Sequence, residues 1–404
     1  MPESPESTVH APRGRGSTGT DLLFIVLASA VALEAVGVGV LFPLLATIQK
    51  DDHLPTYGLG MMSGASFFAG LIAQLAITPH LDGTRSRRVL LAGLAVGAAS
   101  QLCFASVGSL WLLVAARAAG GVAFGILLPA ALRQAGAGRV GAERGQRLGR
   151  ISSSMMAGIT IGPLLGSVLY SLGGIRLPFL AVGFLLAGLL GAAVVLDRPD
   201  PDVDTPEAPS ASESWQLRGI PIRMVVVVLL VGAAAQLPNG LYDALWSRLL
   251  TDRGASALLI GLSLTLFGAP FVVLAPLGGR LALRRGPLLC AAVALVIADC
   301  FMASYGFVPS PVVITLLGVA EACVQSVAVP SGYALVGEVF PDERAATGQG
   351  WFGAAGTAAA GIAAVTGAPL YATVGSGAVF AGGAAISAGL AAAAAATGLR
   401  RRRR

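Results

Sequence analysis

Apolar residues run along this chain in long unbroken stretches, separated by short hydrophilic gaps rather than alternating with polar positions. At 1.5 Å rise per residue, about 20 apolar residues cross the ~30 Å hydrocarbon core of a bilayer. Runs of that length predict twelve spans, at roughly 22–48, 57–79, 89–107, 110–132, 150–171, 176–196, 222–245, 256–279, 287–307, 310–333, 346–371 and 375–398. Gaps as short as Gly108-Ser109 and Gly173-Gly174 force neighbouring spans to be antiparallel. The expected fold is therefore all-α and membrane-embedded, with no secretory leader: Leu22–Ile48 is too long for one and lacks an obvious cleavage site.

Charge placement orients the spans. With a cytoplasmic N-terminus, the inside gaps and tails collect 22 basic residues, among them Arg85, Arg87, Arg88, Arg133, Arg144, Arg284, Arg285 and Arg400–Arg404. The outside gaps hold four, Lys50, Arg176, Arg248 and Arg253. Positive charge concentrates on the cytoplasmic side of membrane proteins, so both termini are expected in the cytoplasm. Residues 197–221, rich in Pro, Asp, Glu and Ser, read as a flexible cytoplasmic linker between six spans (22–196) and six spans (222–398). Residues 1–21 read as a disordered tail and 399–404 as a basic one.

The two sets of spans echo each other. Glu143-Arg144 recurs as Glu343-Arg344, Arg87-Arg88 as Arg284-Arg285, and Gly162-Pro163-Leu164 as Gly367-Ala368-Pro369-Leu370. Such repeats predict two pseudo-symmetric six-helix halves with a binding site at their interface. The densest pattern is in the fifth span, where Gly149, Gly158, Gly162, Pro163 and Gly166 sit at fixed spacings. Gly and Pro cost a soluble helix about 1 and 3 kcal/mol against Ala, but membrane helices use them for close approach and bending.

Composition narrows the function classes. The chain is 55% hydrophobic and 12% charged with a mean hydropathy of +0.77, too apolar for a soluble protein of 404 residues. Its net charge of +6 is scattered topogenic arginine without interleaved aromatics, which argues against nucleic-acid binding. Cys103, Cys290, Cys300 and Cys323 lie in apolar runs without CxxC spacing and read as buried free thiols. His53 and His80 complete no metal set, and no phosphate-cradling Gly-rich loop with Lys points to an ATP-driven pump. No nucleophile–base constellation suggests an enzyme, and no cofactor is expected.

Four local patterns resemble the major facilitator superfamily of transporters over nearly the full length. Asp82-Gly-Thr-Arg85-Ser-Arg87-Arg88 is similar to the family's acidic-then-basic loop, with Thr78 and Arg85 where the family has Gly. Gly279-Arg-Leu-Ala-Leu283-Arg284-Arg285-Gly286 resembles its second copy, with Leu283 in place of Asp. Arg117-Ala-Ala-Gly120-Gly121-Val-Ala-Phe-Gly125 resembles the Arg-plus-Gly signature of the fourth span. The fifth-span run fits G-x8-G-x3-G-P-x2-G, associated with twelve-span drug–proton antiporters, except that Ser167 replaces a Gly. The resemblance implies a bacterial inner-membrane carrier, working as a monomer, that exports a small amphipathic compound in exchange for protons by alternating access. Proton-coupled symport or facilitated import of a metabolite is the alternative, and a non-transporting membrane sensor a remote one. The loop residues Asp82, Arg87, Arg88, Arg284 and Arg285 would then gate the cytoplasmic side, Asp82 through basic groups and helix ends; topology anchoring is the plainer role for the arginines. The fifth-span glycines would give a flat face along which the halves slide.

Ionisable residues inside spans cost about 2.5–3.5 kcal/mol each on insertion scales, so each needs a reason. Glu34 lies about 12 residues, roughly 18 Å, from the cytoplasmic end of the first span, and Arg117 about 8 residues, roughly 12 Å, from the outer end of the fourth. Both reach the same depth, and in the resembled fold both helices line one cavity, so a Glu34–Arg117 contact is expected. A carboxylate is stabilised by an adjacent cation and opposed by burial, so alternating contact would couple protonation to conformation; a permanent structural pair, or no contact, are the alternatives. Glu321 in the tenth span is a third proton-coupling candidate, and Asp299 in the ninth a structural polar partner. Gln236, Asn239, Tyr242, Asp243 and Gln325, with Trp246, are the candidates for binding substrate, since a few polar groups among apolar walls suit an amphipathic ligand. Hydrogen bonding between spans explains Gln and Asn equally well.

Overall fold

The computed structural model describes residues 17–77, 83–106, 108–136, 141–196, 220–341 and 344–399. Asp82, His80 and Glu343, most of the linker and the outermost tails lie outside the described residues. The first helix, α1 (Ser17–Leu41), begins earlier than the apolar run at Leu22 and so takes in the end of the expected tail. It passes through a 3-10 turn (Phe42–Leu44) into α2 (Leu45–Asp51). The turn is where Pro43 removes a backbone donor and its ring displaces the preceding carbonyl. There follow α3 (Tyr57–Ile77), α4 (Gly83–Ser106), α5 (Leu110–Gly136), α6 (Gly141–Gly173) and α7 (Arg176–Leu196). After the linker come α8 (Ile222–Asp252), α9 (Ala257–Arg285), α10 (Pro287–Tyr305), α11 (Pro311–Val339) and α12 (Ala345–Leu399).

Eleven helical segments among the described residues are long and apolar enough to cross a membrane. The last, Thr347–Gly398, has 52 residues, about 78 Å of helix and more than twice a bilayer core. Its path is interrupted at Gly375, whose φ of 85° and ψ of 168° are not helical and which only glycine adopts without strain. The spans expected at 346–371 and 375–398 are thus joined through a glycine kink without a polar loop. Turns elsewhere are tight: Ser256 and Ser310 cap α9 and α11 by accepting from Leu259 N and Val313 N, and Gly286 (φ 95°) places Pro287 at the first position of α10.

Helices before residue 197 pack mainly on one another (α1 on α6, α3 and α4 on α5, α4 on α7), and those after 221 do likewise (α8 and α10 on α12, α9 and α10 on α11). The two groups meet chiefly along α3 against α12 and α6 against α9. Small residues make the close crossings: Gly121 of α5 lies on the Ser66 backbone of α3, Gly125 on Gly70, Gly240 of α8 on Ala360 of α12, and Gly278 of α9 on Ser326 of α11. In lipid there is no hydrophobic drive between helices, so van der Waals fit at such glycines carries the association. Apolar side chains on the opposite faces point outward, as at Leu172, Val195, Val272, Leu283 and Ile222. Buried hydroxyls such as Ser326 and Ser331 donate to carbonyls one turn back, Ala322 and Val327, at 2.8 and 2.7 Å, which satisfies them inside apolar surroundings.

The crossing at Gly240 is directly testable. A Cβ there would collide with the Ala360 backbone oxygen, which cannot swing aside, whereas Gly382 has open space around it. Gly240→Ala should destabilise the fold by about 1–3 kcal/mol. A thermal unfolding scan in detergent should show a lowered midpoint for it and an unchanged one for Gly382→Ala.

Candidate functional site

One end of the bundle, the distal face, carries residues 49–58, 247–256, 306–308 and 371–376. Asp252 and Arg253 knit it together. Tyr371 donates to Asp252 Oδ2 at 2.8 Å, and Arg253 donates to the carbonyls of Val308 and Gly306 at 3.0 and 2.8 Å. The opposite end is called the proximal face; it carries Arg88, Arg284 and Arg285.

Contacts between the two helix groups gather toward the distal face. Ser247 Oγ accepts from Ala46 N at 3.2 Å, and Arg248 Nη1 donates to Gln49 Oε1 at 3.0 Å. Gly60 and Gly64 of α3 lie against Ala364, Ala368 and Val365 of α12. Midway down, Thr265 of α9 donates to the Thr160 carbonyl of α6 at 2.7 Å. Glycines with nothing within 4 Å of where a Cβ would stand occur at both ends, Gly145, Gly149, Gly337, Gly350 and Gly353 toward the proximal face and Gly254 and Gly375 at the distal one. Met156 and Tyr333 are exposed toward the proximal face.

Arg117 of α5 and Asp243 of α8 form the central distal link. Arg117 Nη2 donates to both Asp243 oxygens at 3.0 Å, with both residues buried. Phe42, in the 3-10 turn, lies 5.6 Å from the guanidinium and completes its apolar surround. The expected Glu34–Arg117 contact is therefore not formed in this structure. Glu34 points instead between α1 and α4, its carboxyl filling the notch left by the missing side chain of Gly97. Its Oε2 is buried without a hydrogen-bond partner, as is Gln101 Oε1 one turn further along α4. The difference is one of rotation: an α-helix turns 100° per residue, so equal depth does not mean a shared face.

Glu321 of α11 sits in a cage of neutral donors. Tyr242 donates to its Oε1 and Oε2 at 2.9 and 3.0 Å, Gln325 Nε2 to Oε1 at 3.2 Å, and Tyr305 to Oε2. Tyr242 and Tyr305 also pack edge-on to Trp246 with centroids 5.5 and 5.2 Å apart, and Trp246 Nε1 donates to Ser263 at 2.9 Å. Phe267 and Phe380 close the cluster around Tyr242. Asp299 is buried on α10, with Oδ2 lacking a hydrogen-bond partner. Of the other substrate candidates, Asn239 is exposed and donates to Gln236 Oε1 at 2.5 Å, one turn back on α8. The structure thus brings Tyr242, Gln325 and Glu321 together, joins Asp243 to Arg117, and keeps Glu34 apart. The aromatic cluster drew no notice in the sequence beyond Tyr242 and Trp246, because Tyr305, Phe267 and Phe380 come from three separate helices. Of the gating candidates, Arg88, Arg284 and Arg285 are exposed and Arg87 is half-buried, all toward the proximal ends of α4 and α9.

The fifth-span pattern resolves into two faces of α6. Gly158, Gly162 and Gly166 press on Ala32, Gly39 and Val40 of α1, within the same helix group, while Gly149 touches nothing closely. The expectation that these glycines form the sliding surface between groups is corrected accordingly. Their four-residue spacing makes one stripe, and α1 occupies it. The junction with α9 uses the adjacent stripe, Thr160, Pro163 O and Ser167, against Gly268 and Gly261. Ser167, the departure from the glycine pattern, is fully buried and its hydroxyl occupies the space beside Gly261 where a side chain would stand. The glycine missing from α6 is supplied by the helix that faces it.

The family model of the Major Facilitator Superfamily matches residues 27–242 and 228–404. The chain belongs to the Major Facilitator Superfamily. It is a multi-pass membrane transporter of that superfamily, similar over 157 residues (26% identity, 39% of each chain) to multidrug resistance protein 2 of Bacillus subtilis strain 168. Over 264 residues it is 30% identical to the class C tetracycline resistance protein of Escherichia coli, covering 60% of this chain and 63% of the relative. The matched segments therefore span 39% and 63% of those relatives' lengths. In fold it is similar to a bacterial homologue of the human lysosomal transporter Spinster, solved in an inward-facing, occupied conformation. That likeness has a TM-score of 0.74 at 15% identity and covers 96% of this chain and 99% of the other.

The complementarity of Ser167 and Gly261 predicts a rescue. Gly261→Ser alone should clash with Ser167 and Pro163 O and lower the unfolding midpoint, by an overpacking cost of about 1–3 kcal/mol. Adding Ser167→Gly should recover most of that loss, because the pair then has the same volume with the roles exchanged. Equal midpoints for the single and double variants would mean the two positions do not share one space.

Proposed function

We propose that this transporter exports a small amphipathic compound in exchange for protons, by alternating access between two six-helix halves, 22–196 and 222–398, joined by the 197–221 linker. Counting the helices on either side of Gly375 separately supports twelve spans. The observation that carries the reading is where the two groups are joined: the cross-group hydrogen bonds and the Arg117–Asp243 pair lie at the distal face and midway down. That is the form expected of a carrier open to one side, and with the arginines marking the proximal side as cytoplasmic it is open inward. Both termini would then lie in the cytoplasm of a bacterial inner membrane, with the chain working as a monomer.

Export, rather than import, is supported by the fifth-span pattern and by relatives named for drug and tetracycline resistance. Asn239 and Gln236 beside the aromatic cluster of Tyr242 and Phe267 offer few hydrogen bonds amid apolar walls, which suits an amphipathic molecule. Proton exchange would use Glu34 as the leading carrier, since an unpaired carboxylate in its notch would have no compensation while the neutral acid fits. Glu321 is the second candidate, its cage of hydroxyl and amide donors being able to hold the ionised form. Asp82 with the arginines of the two proximal loops would close the cytoplasmic side in the opposite state.

Everted membrane vesicles with an acidic lumen should accumulate substrate if exchange with protons is the mechanism; substrate driven outward by the same gradient would indicate symport. Glu34→Gln should abolish gradient-driven movement while the protein still inserts and folds. Undiminished coupled transport by that variant would remove Glu34 from the mechanism.

A further inference from the structure

Pro238 interrupts α8 and has no backbone N–H to give the carbonyl one turn before it, that of Ala234. A carbonyl bared inside a membrane-spanning bundle has to find another donor. It finds one on α12: the fully buried Ser387 hydroxyl donates to Ala234 O at 3.0 Å. Ser387 has one hydrogen, and this contact uses it. The carboxyl of Asp299, on α10, faces the same hydroxyl. Asp299 is 4% exposed and its Oδ2 has no hydrogen-bond partner. Its charged neighbour is Glu321 of α11, which brings a like charge rather than an opposite one. Tyr242 of α8 is also within electrostatic reach, and its hydroxyl is directed to Glu321. The other charges on the helices packed against α10 are placed elsewhere. α12 carries no charged residue, and Arg280, Arg284 and Arg285 lie at the proximal end of α9. Arg223 and Glu338 stand in the outer turns of α8 and α11, Arg248 and Asp252 pair at the distal face, and Asp243 is held by Arg117.

We propose that Asp299 is a proton site of the second helix group, a neutral acid donating to Ser387, and that Pro238 sets this state by committing the Ser387 hydrogen to Ala234. Ser387 is the positioning residue: with its own hydrogen on the carbonyl, its oxygen can accept from Asp299 and cannot donate to it. A neutral acid also suits a place with no cation and one oxygen lacking a donor. The carboxyl of Glu321 acts the same way, because two carboxylates in reach of each other favour one proton between them. Glu321 is the reverse case, surrounded by donors from Tyr242, Tyr305 and Gln325 that suit the ionised form. The two acids thus divide the roles, one holding a proton and the other a charge. Loss of the Asp299 proton would reach α8, since the bare carboxylate would draw the Ser387 hydrogen to itself and leave Ala234 O without a donor at the proline break. Beyond that break α8 carries Tyr242, which serves Glu321, and Asp243, which holds Arg117. This goes beyond the proton-exchange reading, which uses Glu34 and Glu321, and does not depend on it.

The test is infrared spectroscopy of the full chain in lipid across a pH series, read at the D2O-sensitive C=O stretch of protonated carboxylic acids. At neutral pH the parent should show a band that Asp299→Asn removes. Pro238→Ala returns a backbone N–H to Ala234 O and frees the Ser387 hydrogen for the carboxylate. The Asp299 band should then be lost about one to two pH units lower than in the parent, the worth of one hydrogen bond to a charged group. Ser387→Ala should move the band to higher frequency, as for an acid that has lost its acceptor, and adding Pro238→Ala to it should change nothing more. The proposal is overturned if Asp299→Asn removes no band, or if Pro238→Ala leaves the titration at the parent's pH. It is equally overturned if Pro238→Ala shifts the titration as much without the Ser387 hydroxyl as with it. Should Pro238→Ala fail to fold, Ser387→Ala still decides, because a serine that only packs would leave the band where it was. The readout is the acid itself, so a pH gradient that moves no substrate would remove the exchange reading and leave this one standing.

Discussion

A charge inside a bilayer must be paired or neutral, and in this chain that constraint converges on Arg117. It is the one Arg among the described residues that is buried, and it cannot shed its proton to become neutral. Whatever conformation the helices adopt, they have to bring an anion to it. In the observed arrangement that anion is Asp243, from the other side of the junction, so the pair that satisfies Arg117 also ties the two helix groups together. The other buried acids face no cation: Glu321 is held by hydroxyl and amide donors, while Glu34 Oε2 in its notch at Gly97 and Asp299 Oδ2 have no hydrogen-bond partner.

Around that pair, small residues set how closely helices approach. The glycine stripe of α6 seats α1 and stiffens one helix group, while the neighbouring stripe makes the junction with α9. At Ser167 and Gly261 the junction keeps its volume by exchanging which helix is bare, so a departure from a sequence pattern on one side is matched on the other. The hydrogen bonds that cross between the groups lie at the distal face and midway down.

Spans were legible in the sequence because 20 apolar residues have few other uses, and the buried acids were legible because each interrupts such a run. Even the kink at Gly375 fell at the first residue of an expected span, although no polar loop marked it. Partners were not legible. Hydropathy places a residue by depth, and in a helix apolar on nearly every face it gives no rotation about the axis. Glu34 and Arg117 share a depth, yet Gly97, invisible as a feature until α4 is laid beside α1, turns Glu34 away. Asp243 stood near the outer end of its span with no sign that an arginine 126 positions earlier would meet it. The stripes of α6 show the same limit, since spacing identified a bare face without naming the helix that covers it.

The account depends most on the Arg117–Asp243 pair holding the two groups together at the distal face. The direct measurement is the distance between spin labels at Tyr57, at the distal end of α3, and Thr373, beside the Gly375 kink of α12, in wild-type and Asp243→Asn protein reconstituted in lipid. The account predicts a short, narrow distribution for the wild type. It predicts a second, longer population in the variant, withdrawn again when Arg117 and Asp243 are exchanged. Identical distributions in all three proteins would contradict it, and would show that the distal face is closed by packing alone.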